Sequence, residues 1–157
     1  DNTGALLEAE LGTSYSTIKT ISRQRQAGHY DQYTNIGAGI RKGRLQMLAN
    51  ARPSAVKVMV LMTDGIANRT LTSASPSQFA LNEAQLTADA GIKIMTVSVG
   101  VGADTNLMQQ IADLSGGKHF NVPGGIPVAE YEAQLKDAFG QIAADRPLKL
   151  IREEEAP

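Results

Sequence analysis

Two apolar runs constrain this chain more than anything else in it. Val56-Lys57-Val58-Met59-Val60-Leu61-Met62 and Ile92-Lys93-Ile94-Met95-Thr96-Val97-Ser98-Val99 show little polar alternation, which is the pattern of strands covered on both faces. Each ends in glycine-containing turn chemistry, Asp64-Gly65 and Gly100-Val101-Gly102, and each follows a helix-like stretch. Alternation of this kind predicts βαβ units and a parallel sheet.

Helical spacing fills the intervals. Val128, Tyr131, Leu135, Ala138, Phe139 and Ile142 predict a long amphipathic helix ending before Pro147. Leu107, Met108, Ile111, Ala112 and Leu114 predict a shorter one, capped by Asp104 or Thr105 and stopped by Gly116-Gly117. Ile36, Ile40, Met47 and Leu48 mark a third, running toward Arg52-Pro53. Others are expected over Gln78 to Asp89 and around Tyr15, Ile18 and Ile21. Ala5 to Leu11 and Lys118 to Val122 read as peripheral strands, Leu148 to Ile151 as a short extended piece, and Arg152 to Pro157 as a solvated tail.

The 157 residues fit one domain. Fifteen basic residues against sixteen acidic ones leave a net charge of -1, so no global field favours nucleic acid or an anionic membrane. With no cysteine, disulfides, thiolate metal sites and cysteine nucleophiles are excluded. No stretch is apolar for long enough to span a bilayer, and Asp1-Asn2-Thr3-Gly4 lacks the order of a signal peptide.

Ligands of open parallel sheets bind outside the carboxyl ends of strands, and Asp64 stands at such an end. Thr34, in Tyr33-Thr34-Asn35-Ile36-Gly37, offers a hydroxyl to meet it. Such oxygen donors suit Mg²⁺ or Mn²⁺ better than zinc. The plainer reading is also open, because Asp-Gly is a common turn and Thr before Asn a frequent helix cap.

Tyr33 to Ile40, Val58 to Gly65, Gly91 to Gly102 and Ile111 to Gly117, in this order, resemble a von Willebrand factor type A domain. The likeness runs from about Asp1 to Ile151, with residues 152–157 as tail. It implies a three-layer, doubly wound, mostly parallel α/β sheet, N-terminally truncated, because the family's first strand with Asp-x-Ser-x-Ser has no counterpart. By match of motif, Thr34 and Asp64 correspond to metal-site residues, and Gly65 belongs to the same turn. Asn35, Gly65 and Asp104 are expected on the ligand-binding rim, although a capping role also explains Asp104. The implied function is non-enzymatic binding of a protein that supplies a carboxylate to Mg²⁺ or Mn²⁺. With two ligands remaining, cation binding by this chain is expected to be weak or absent. Phe139 to Leu148 resembles bacterial members linked to pilus assembly and the envelope, which implies an extracytoplasmic setting.

Gly12-Thr13-Ser14-Tyr15-Ser16 has the Ser-x-Ser spacing but glycine in place of aspartate, so Ser14 and Ser16 are read as a helix cap. Gly37, Gly39 and Gly43 read as small residues that let helices pack closely. His29 and His119 have no metal-ligand spacing. Two competing functions stay open: a phosphoryl hydrolase using Asp64, which calls for a second acid two residues on where Ile66 stands, and a scaffold domain with a vestigial crevice. Loss of a neighbouring strand would leave Val56 to Met62 as an open edge, so the chain is expected to form a homodimer through that edge, to swap elements or to rearrange its sheet.

Overall fold

The computed structural model describes residues 4–12, 14–24 and 33–144. His29, Leu148 to Ile151 and the tail lie outside the described residues. In chain order the elements are α1 (Tyr15–Gln24), α2 (Ile36–Asn50), β1 (Lys57–Thr63), α3 (Pro76–Asp89), β2 (Ile92–Val99), α4 (Thr105–Leu114), β3 (His119–Val122) and α5 (Val128–Ala144).

The strands form one parallel sheet in the order β1-β2-β3. Val60 stands beside Met95, and Val97 beside Phe120. Successive residues of a strand point to opposite faces, so each strand feeds two cores. On one face Met59, Ile92 and Ile94 pack with Ile36 and Ile40 of α2, Ala80 and Ala84 of α3, and Met108 and Ile111 of α4. On the other, Met95, Val97 and Val122 pack with Ile142, Tyr131 and Leu135 of α5. The result is a three-layer α/β/α fold with a mostly buried central strand, as the near-continuous apolar pattern of β2 requires.

Caps set the helix boundaries. Asn35 Oδ1 accepts from Ala38 N–H, Ser75 Oγ from Gln78 N–H and Asp104 Oδ1 from Leu107 N–H, each satisfying a donor left open by the first turn. Gly116, with φ of +66°, turns the chain out of α4. Between α2 and α3, Arg44 Nη2 donates to Glu83 Oε2 at 2.7 Å, both side chains largely buried.

Three expectations need correction. Ala5 to Leu11 forms no strand: it pairs with none of the described strands, and Leu6 and Leu11 stay exposed. Ser16 lies inside α1, so only Ser14, whose carbonyl accepts from Ile18 N–H, stands at the helix start. Leu48, Val128 and Phe139 are exposed in spite of their helical spacing, because α2 and α5 each bury a narrower stripe than the pattern suggests. α1 buries none of its residues.

Candidate functional site

All three strands run the same way, so the loops after β1 and β2 open at one rim. α2 begins at that rim too, because its far end leads into the start of β1. Thr34 and Asp64, thirty residues apart in sequence, therefore meet there. The decisive contact is at Gly65: a Cβ built on it would lie 3.1 Å from Thr34 Oγ1, so hydroxyl and turn are already neighbours.

A clamp holds the threonine loop. Thr34 N–H donates to Asn68 Oδ1 at 2.8 Å, and Thr34 C=O accepts from Asn68 N–H at 2.9 Å and Arg69 N–H at 3.3 Å. The Arg69 guanidinium lies 3.8 Å from the centre of the Tyr33 ring, a cation–π contact that closes the same two loops. Thr63 Oγ1 accepts from Gly65 N–H at 3.3 Å and fixes the turn. The loop after β2 completes the rim, for a Cβ on Gly102 would come within 2.9 Å of the Asp64 carbonyl.

The capping duty at α2 falls to Asn35, not Thr34, so the Thr34 hydroxyl is not consumed by the helix. The Asp64 side chain is exposed and makes no hydrogen bond or ion pair with a described residue. Asp104 commits one carboxylate oxygen to Leu107 N–H. Asn35 Nδ2 is buried without a partner. The arrangement thus presents one hydroxyl and one carboxylate as free oxygen donors. The donor type fits Mg²⁺ or Mn²⁺, but the number does not, since Mg²⁺ takes about six ligands. No group of three or more acidic, histidine or cysteine side chains able to hold a metal occurs among the described residues.

Asn68 and Arg69 carry no motif, and sequence reasoning missed them. Their partner lies over thirty residues upstream, and no local spacing announces such a contact. Ser14 and Ser16 stand on exposed α1. His119 lies in β3, its Nδ1 2.9 Å from Thr96 Oγ1, as part of the packing between β2, β3 and α4.

A family model, the von Willebrand factor type A domain, matches residues 7–125. The chain belongs to this family. Among solved structures, the von Willebrand A domain resembles a stretch of the pilus adhesin SpaC from Lactobacillus rhamnosus GG, with a TM-score of 0.58 and 15% identity. That likeness covers 85% of this chain but 22% of the adhesin, so it speaks to the fold. No curated protein matches the chain.

Proposed function

We propose that this von Willebrand A domain is a non-enzymatic protein-binding module whose rim, at Thr34 and Asp64, is the remnant of a cation-dependent adhesion site. The observation that supports this is the packing of Thr34 Oγ1 against Gly65, beside an exposed carboxylate with no partner among the described residues. Asn35, Gly65 and Asp104 form the surrounding rim. Asp64 acts through a bridging water, which leaves the cation enough positive charge to attract a carboxylate of the protein ligand. The likeness to a pilus adhesin supports an adhesion role and an envelope or pilus setting. A hydrolase reading has less support, because Ile66 occupies the place of a second acid and is 60% exposed. A second copy of the chain is a further proposed partner, at the side of β1 that no described strand pairs with.

Mn²⁺ titration followed by electron paramagnetic resonance tests the cation part. The chain alone is expected to bind weakly and without saturation, and a version extended by a strand bearing Asp-x-Ser-x-Ser to bind saturably. In the extended form Asp64→Ala should weaken binding about 10–100-fold, the usual effect of removing a residue that orients a metal's ligands. No saturable binding by the extended form would favour a scaffold role.

A further inference from the structure

Neither α3 nor α4 contains a lysine or arginine, in a chain that has fifteen basic residues. Their acids are Asp89, Asp113 and Glu83, the last buried and paired with Arg44. Amides take the outward positions instead: Gln78, Asn82 and Gln85 stand exposed along α3 and Gln110 along α4. These four wall an open groove of about 600 Å³, built from the two helices that cover β2. Leu81 and Leu114 are its apolar part and Asp113 its single charge. Scarcity of lysine and glutamate is a mark of surfaces that partners cover.

Each of these amides carries both a donor and an acceptor. Gln78 Nε2 donates to Asn82 Oδ1 and Gln85 Nε2 to Asp89 Oδ1, both at 2.8 Å. Gln78 Oε1, Asn82 Nδ2 and Gln85 Oε1 are left without a partner among the described residues, an acceptor, a donor and an acceptor in order along α3. An extended chain offers the complement, since N–H and C=O alternate along its edge, and the roughly 10 Å from Gln78 to Gln85 equals about three of its residues. A helix would not serve, because it spends its backbone groups internally. We infer that the α3–α4 groove binds an extended peptide segment of a partner protein, at a site separate from the Thr34–Asp64 rim. The amides bond the segment's backbone, one of its apolar side chains lies on Leu81 and Leu114, and a lysine or arginine of the segment meets Asp113. The sign is the reverse of the rim's, where the ligand supplies a carboxylate.

A phage-displayed library of random linear decapeptides, selected on the whole chain, tests the site. Enriched peptides should join an apolar residue to a lysine or arginine and avoid carboxylates. The synthetic form of the most enriched peptide should shift the amide NMR signals of α3 and α4 and leave those of Thr34 and Gly65 in place. Asn82→Ala combined with Gln110→Ala should weaken it about 10-fold, and both changes fall at exposed helix positions where alanine favours the fold. N-methylation of alternate backbone nitrogens of the peptide should weaken it to a similar degree. Asp113→Lys should turn the selection toward peptides with aspartate or glutamate. Asp64→Ala should leave peptide binding unchanged, so failure here is distinct from failure of the rim. A selection that enriches nothing, shifts that map away from α3 and α4, or a peptide indifferent to N-methylation overturns the inference. A preference for basic peptides that survives Asp113→Lys overturns the role of Asp113.

Discussion

Gly65 lets two loops touch, because any larger residue would press on Thr34 Oγ1. A similar dependence on one neighbour governs His119. Thr96 Oγ1 donates to Met108 C=O at 2.9 Å, so its contact with His119 Nδ1 is served by a proton on the imidazole. That tautomer leaves Nε2 as a bare lone pair, buried and without a partner. Burial pushes the His119 pKa below its ordinary 6.5, against weaker opposing pulls from Thr96 and Asp113. The unfolded chain then takes up a proton before the folded one does. Stability is therefore full above about 6.5 and is lost as pH falls through the lowered folded-state value. Urea midpoints measured across that range should decline toward acid, and His119→Gln should flatten the decline. Motif carries Thr34 and Asp64 into view, whereas the role of His119 depends on Thr96 and Met108, which no spacing in the sequence connects to it.

At the scale of elements, α2 packs on α3 and β1 through glycines. A Cβ on Gly37 would overlap the Phe79 ring, and one on Gly43 would sit 2.9 Å from Met59 Cε, whereas at Gly39 it meets nothing within 4 Å. Gly37→Ala should thus lower stability by about 1–3 kcal/mol through overpacking. Gly39→Ala should raise it by up to about 1 kcal/mol, because alanine loses less freedom in a helix. Thermal melts of the two variants against the parent check the opposite signs. The elements themselves were largely legible, since their apolar spacing and caps are local. Ala5 to Leu11 was not, because its alternation is real but strand identity requires a partner that lies elsewhere in the chain.

For the whole molecule, β2 is the shared wall of both cores. Ile94 and Met95 are adjacent and fully buried, yet they point into opposite layers. Truncating either to alanine should cost about 2–5 kcal/mol, and because one strand couples the layers, unfolding in urea should remain a single transition by both far- and near-ultraviolet circular dichroism. Two separated transitions in the Met95→Ala variant would mean that the α5 layer unfolds on its own. The α/β class was readable from β2 and β1 together. That no described strand pairs with the outer side of β1 was anticipated only through family likeness, since apolar runs do not say which strands adjoin.

Parallel strands with return helices carry one more consequence. α2, α3, α4 and α5 all begin at the end of the sheet where Asp64 and Asp104 stand. The partial positive charge of helix beginnings gathers there, at about 0.3–1 kcal/mol per nearby anion at low ionic strength. That end of the molecule welcomes negative groups by the architecture of its peptide dipoles alone, and the opposite end, where the strands start, disfavours them.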